Sequence, residues 1–220
     1  SATEIIGLLD LDNDLVAITH ECDYPLGLDH LPVVTHSDIK KNTTSRAIDA
    51  QVRAALQHTH ALYTLNARLI DTLQPDLLVT QSLCNVCAVD HSAVIELAAT
   101  LSPTPKIINL EPLCLNDMYA TVRQVGETCG RAALATHKIT QMQQRVDKIS
   151  MLAKQRVQRS GRLRVVFLEW IDPLFGSGHW IPEIIALAGG FDCLGEAGQP
   201  AQRVSWSDIV ATDPDILVVS

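Results

Sequence analysis

The residues with the most chemical potential are thiols, imidazoles and acids on short segments between apolar runs. Cys84 and Cys87 are two residues apart, a spacing that supplies half of a tetrahedral zinc site. His20, Cys22 and His179 are of the types that could complete one. The same pair also reads as a redox dithiol, since a thiol at a helix start has a lowered pKa. A third reading is structural, either a disulfide or two free buried thiols. Glu111 and Glu169 could do acid–base work across a cleft. No nucleophile elbow, glycine-rich phosphate loop or serine–histidine–aspartate order accompanies them, so satisfied carboxylates are the plainer reading.

These residues follow short, continuously apolar runs. Strands are expected at Leu15–Thr19, Leu77–Thr80, Lys106–Leu110, Arg164–Leu168 and Asp215–Val219, with a weaker one at Val33–Thr35. Continuous apolar strands imply a sheet covered on both faces. Helical patterns at Thr3–Leu9, Ser45–Leu73, Ala88–Leu101 and Pro182–Ala188 alternate with them, which predicts parallel α/β layers. Ser1 and Glu4 have the spacing of a capping box at the first helix. Ligands of such sheets bind beyond the carboxyl ends of the strands. Those ends carry His20-Glu21-Cys22-Asp23-Tyr24, Gln81 ahead of Cys84, Glu111, and Glu169-Trp170 followed by Phe175, His179 and Trp180. Only 4% of the chain is aromatic, so aromatic residues gathered on these loops suit stacking against a flat or bulky ligand. Burial of the same rings against a neighbouring part of the protein is the alternative.

A longer helix is expected after Pro112. Val122, Val125, Cys129 and Ala132, then Ile139, Met142, Val146, Ile149 and Leu152, form one apolar stripe. That predicts a helix of about 35–40 residues, or two helices broken near Thr136-His137. Gly126 and Gly130 would permit close helix packing, and Gly189-Gly190 reads as a helix stop. Pro75-Asp76-Leu77-Leu78-Val79 recurs as Pro214-Asp215-Ile216-Leu217-Val218, one copy on each side of the long helix. The chain is therefore expected to form two α/β lobes: residues 1–113, a connecting helix at 114–158, and residues 159–220. Abrupt ends at a helix and a strand suggest a trimmed or incomplete chain.

Composition narrows the function. An apolar fraction of 47% supports a buried core and argues against disorder. The net charge of -8 argues against nucleic acid as a partner. The interrupted basic run from Lys154 to Arg164 reads as a solvated face. No apolar run approaches the ~18–20 residues needed to span a bilayer.

Several of these segments together resemble a known family. Ser1-Ala2-Thr3-Glu4, His20-Glu21-Cys22-Asp23-Tyr24-Pro25, Leu31-Pro32-Val33-Val34, Gln74-Pro75-Asp76-Leu77-Leu78, Leu110-Glu111-Pro112 and Glu169-Trp170-Ile171-Asp172-Pro173 with His179-Trp180 follow one another as in the solute-binding proteins of cobalamin and iron-siderophore ABC importers. The resemblance implies two Rossmann-like lobes bridged by one long rigid helix. It implies a non-catalytic protein that binds cobalamin or an iron chelate between the lobes and needs no cofactor. It implies delivery to a membrane permease, through acidic residues such as Asp208 and Asp90, and a periplasmic location. The ligand contacts it implies are His20, Glu21, Tyr24, Gln81, Glu111, Glu169, Trp170, Phe175, His179 and Trp180. The Cys22, Cys84 and Cys87 thiols are a departure from a cobalamin site. They leave open direct binding of a transition metal, a cytoplasmic member of the branch, and a thiol- or carboxylate-dependent enzyme.

Overall fold

The chain divides into two units, described in turn from a computed structural model covering residues 2–40, 42–58, 62–81 and 91–220. The first comprises Ser1–Thr43, Ala50–Glu111 and Thr121–Ala135; the second comprises Thr44–Asp49, Pro112–Ala120 and Thr136–Ser220. In chain order the early elements are α1 (Ala2–Leu8), β1 (Thr35–His36), α2 (Ser45–His58), β2 (Thr64–Leu65), α3 (Ala67–Leu73), β3 (Leu77–Gln81), α4 (His91–Thr100) and β4 (Lys106–Leu110). They are followed by α5 (Leu115–Thr128), α6 (Ala132–Ser160), β5 (Leu163–Leu168), β6 (Trp170–Ile171), β7 (Leu174–Phe175), α7 (Ile181–Leu187), β8 (Gly190–Asp192), α8 (Trp206–Thr212) and β9 (Ile216–Val219).

In the first unit β3 and β4 pair in parallel, with Leu77 opposite Lys106 and Gln81 opposite Leu110. The expected strands at 77–80 and 106–110 are therefore present, and their carboxyl ends lie side by side. Ile108 and Leu110 point into a core that includes Ile5, Ile70 and Val94. Two expectations fail here. Leu15–Thr19 forms no strand; Ile18 makes only an isolated parallel bridge to Val33. The stretch Ser45–Leu73 is not one helix, because Thr64–Leu65 leaves it to pair antiparallel with Thr35–His36. Asn66 then restarts the helix by accepting a hydrogen bond from the Leu69 amide at 3.1 Å, an N-cap.

The expected long helix is interrupted. Gly130 adopts φ 70°, and the Arg131 amide reaches back to the Gly126 carbonyl at 2.6 Å. A Cβ at Gly126 would lie 2.5 Å from the Cβ of Ala135, so the two helices approach at a distance only glycine permits. The break thus falls at 129–131, not at Thr136-His137. The second helix, α6, still runs 29 residues, about 43 Å at 1.5 Å per residue. The apolar stripe is buried at Val122, Val125 and Ile139 but emerges at Ile149 and Leu152.

In the second unit β5 is the central strand of a parallel sheet ordered β8-β5-β9. Val165 faces Asp192 on one side and Ile216 on the other. Val166, Leu168, Leu174 and Ile209 form its buried cluster. The internal repeat has a structural counterpart. α3 and α8 each span seven residues, and each ends on a left-handed residue, Gln74 at φ 43° and Asp213 at φ 44°. In both, a Pro-Asp pair then leads into a parallel strand. Each unit is thus an α/β layer built from the same helix–turn–strand piece, as the alternation of elements predicts.

Candidate functional site

In the first unit the segment after Ile18 is fixed by threonine hydroxyls. Buried Thr35 accepts the His20 backbone N–H at 3.0 Å, and its Oγ1 lies 2.6 Å from His20 Nδ1. The other ring nitrogen is Nε2. That nitrogen is 3.3 Å from Glu21 Oε1. The ring packs against Tyr63 with centroids 5.1 Å apart. Cys22 Sγ lies 2.8 Å from Thr3 Oγ1 and 3.3 Å from Thr19 Oγ1, so the thiol ties α1 to this segment. Tyr24 is 60% exposed and precedes a cis Pro25. The ring of Pro25 sits so close to Gly7 that a Cβ there would lie 3.1 Å from its Cγ. Gln81, half-buried, and Glu111, exposed, close neighbouring strands. Glu111 Oε1 accepts from Asn109 Nδ2 at 2.7 Å.

In the second unit a single loop carries most of the expected contacts. The chain leaves β5 at Glu169, turns back through the β6–β7 hairpin, and continues to Trp180. The hairpin holds Trp170 opposite Phe175 around a cis Asp172–Pro173 bond. Trp170 Nε1 donates to the Asp172 carbonyl at 3.0 Å. Glu169 Oε1 accepts the buried Gly178 amide at 2.9 Å. His179 stands at φ 52°, held by its amide on the Gln199 carbonyl at 2.6 Å and by the Gly198 amide on its own carbonyl at 2.8 Å. Its ring lies 5.8 Å from that of Trp180, and its Nε2 is buried with no hydrogen-bond partner. Such an atom near an aromatic loop is available to a ligand or water that enters the loop.

The base of the loop is a polar knot that the sequence reading did not identify. Buried Ser177 donates to Asp192 Oδ2, and Asp192 Oδ1 accepts from the Leu194 and Gly195 amides at 3.1 and 2.8 Å. No spacing rule links residues 177 and 192. They meet because Asp192 ends β8 beside β5. Further along, the Arg164 guanidinium bonds Asp213 and Asp215. The Arg164 amide and then its guanidinium hold Asp215 below the usual carboxylate range.

The structure brings His20, Glu21 and Cys22 together in one unit, and Glu169, Trp170, Phe175, His179 and Trp180 in the other. Cys84, Cys87, Asp90 and Ser1 lie outside the described residues. Among the described residues no three His, Cys, Asp or Glu side chains gather as a metal site. Asp208 occupies a capping box: its Oδ2 accepts from the Ser205 amide at 2.8 Å and the Ser205 hydroxyl at 2.7 Å. The hydroxyl and then the amide lower its pKa. Burial raises the Cys129 and Cys193 thiol pKa values, against reactivity. Among the described residues no helix is long and apolar enough to cross a membrane.

A family model described as periplasmic binding protein matches residues 2–220. Among solved structures, the chain resembles the periplasmic vitamin B12 binding protein BtuF of Vibrio cholerae at 18% identity and TM-score 0.67, covering 100% of this chain and 72% of that one. It resembles a possible iron-binding periplasmic solute-binding protein from Staphylococcus epidermidis at 17% identity and TM-score 0.71, covering 100% and 73%. A periplasmic heme binding protein from Pseudomonas aeruginosa aligns at 16% identity and TM-score 0.71, covering 100% and 68%. No curated protein matches the sequence. The chain belongs to the periplasmic binding protein family, a family of extracytoplasmic binding proteins rather than enzymes.

Proposed function

We propose that this periplasmic binding protein is the solute-binding component of an ABC importer that takes up a metal chelate of the cobalamin or heme type and passes it to a permease. The observation that carries the reading is the loop from Glu169 to Trp180. It presents Trp170, Phe175 and Trp180 on a backbone fixed at both ends, by Glu169 on Gly178 and by His179 on Gln199 and Gly198. Rigid aromatic surface on a strand-end loop suits binding without a large ordering cost. Solved structures with the same fold include proteins described as binding vitamin B12 and heme, which supports this ligand class. Tyr24, His20 and Glu21 form a second candidate group on a loop of the first unit.

Titration of the purified protein with cyanocobalamin and with hemin, read by tryptophan fluorescence, tests the reading. Trp170, Trp180 and Trp206 are the three tryptophans, and the first two stand on the proposed contact loop. Saturable quenching that weakens in Trp180→Leu is the expected result. Linear, non-saturating quenching by both compounds would reject the proposal.

A further inference from the structure

One face of α6 in the second unit carries a row of cations with no acid opposite them. Between Lys138 and Arg162 the chain holds seven of its 17 lysines and arginines and one acid, Asp147, although its net charge is -8. Arg145, Lys148, Leu152, Arg156 and Arg159 recur at steps of three and four, so they share one face of the helix. All five are exposed. The row is about 21 Å long at 1.5 Å per residue, and Asp147 stands about 100° around the helix from Lys148. Among the described residues no carboxylate pairs with any of the four cations. Arg156 Nη1 reaches only the Gly161 carbonyl, at 3.4 Å. Arg164, a little further along, is by contrast held by Asp213 and Asp215. The other face of α6 fixes its orientation. A Cβ at Gly189 would lie 3.1 Å from Val157 Cγ2 and 3.2 Å from Ala153 Cβ, so the helix packs closely there and turns its cations outward.

Cations alone would suit any polyanion. Leu152, 59% exposed, stands in the middle of the row, and Ile149, 53% exposed, flanks it. Apolar side chains set among cations match the surface of an anionic bilayer, where the cations meet lipid phosphates and the apolar groups enter the acyl boundary. A nucleic-acid backbone offers the same cations phosphates but gives the leucine nothing. The helix is not apolar enough to cross a membrane, so it can only lie on one. We infer that this face of α6 docks the protein on the surface of a bilayer rich in anionic phospholipid. The contact is independent of which solute the chain binds.

The test is flotation of the purified chain with vesicles of phosphatidylcholine alone and with vesicles that also contain phosphatidylglycerol, each at low and high salt. Wild type is expected to float with the anionic vesicles only, and high salt should release it. Each cation near such a surface contributes about fivefold in affinity, converted from about 1 kcal/mol. The triple variant Lys148→Gln, Arg156→Gln, Arg159→Gln should therefore bind roughly a hundredfold more weakly. Leu152→Ser should weaken vesicle binding about tenfold and leave retention on a DNA duplex unchanged. All four side chains are exposed, and an unchanged thermal unfolding midpoint shows that each variant is intact. Wild type that floats with neither vesicle, or equally with both, overturns the inference. So does anionic-vesicle binding that the triple variant retains in full. Vesicle binding indifferent to Leu152→Ser, with equal affinity for a DNA duplex, makes a polyanion the occupant instead of a bilayer and overturns it as well.

Discussion

Replacing Glu169 separates a positioning role from a ligand-contacting one. Its Oε1 accepts the Gly178 amide at 2.9 Å, and Gly178 is buried. The loop cannot shift easily to find another acceptor, because even a Cβ at Gly178 would come within 2.8 Å of Ala201 Cα and of the Gln199 carbonyl. Glu169→Ala therefore leaves a buried N–H unpaired, at a cost of about 1–3 kcal/mol. Glu169→Gln keeps an oxygen acceptor and loses only the charge assistance, so its cost should be about half as large. Urea unfolding reads both, with the slope unchanged if the unfolded state is the same. Proposed ligand binding should fall with Glu169→Ala and largely recover with Glu169→Gln. If Glu169→Ala lies within about 0.5 kcal/mol of wild type, as an uncommitted surface change would, or if Gln is as damaging as Ala, the carboxylate does not anchor the loop.

Other outcomes follow from the same contacts. Gly126→Ala should destabilise by about 1–3 kcal/mol through overpacking, since its Cβ would press on Ala135 at 2.5 Å; thermal unfolding checks this. Leu168→Ala, at a site 1% exposed in the second unit's core, should cost about 2–5 kcal/mol by urea unfolding. The lowered pKa of Asp208 means that its cap stabilises the fold fully above the unfolded value of about 3.9 and fades as pH falls through the lower folded value. Asp208→Asn should accordingly be less stable than wild type at pH 6, with the gap closing toward pH 2. Cys129 and Cys193, whose thiol pKa values are raised by burial, should alkylate with iodoacetamide at pH 8 more slowly in the native protein than in urea.

Much of the layer structure was legible because it depends on local pattern. The runs at 77–80, 106–110 and 164–168 are apolar without alternation, and they become the parallel strands β3, β4 and β5. The Pro-Asp repeat was legible for the same reason, since the turn that precedes each strand is written in adjacent residues. Misreadings arose where a local signal was outvoted or overlooked. Gly130 looked like a packing glycine inside a helix, yet its φ of 70° makes it the stop, while Gly126 supplies the close packing. Thr64–Leu65 carried no strand signal of its own and is drawn out of a helical pattern by pairing with Thr35–His36. The helix at 206–212 is written locally in Ser205 and Asp208 at capping-box spacing, yet it is absent from the expected helices. At the site, the aromatic loop was visible as aromatic residues following a strand. The pairing of Ser177 with Asp192 was not, because only the fold brings the two together.

The most direct measurement is calorimetric titration of the purified chain with cyanocobalamin and with hemin, giving stoichiometry and affinity together. Saturable binding of one of them at one ligand per chain, weakened by removal of the Trp170 and Trp180 rings in a chain that still unfolds cooperatively, is the predicted result. Absence of saturable heat with either ligand, in protein whose fold is intact by circular dichroism, would contradict the central claim that this binding protein carries a metal chelate.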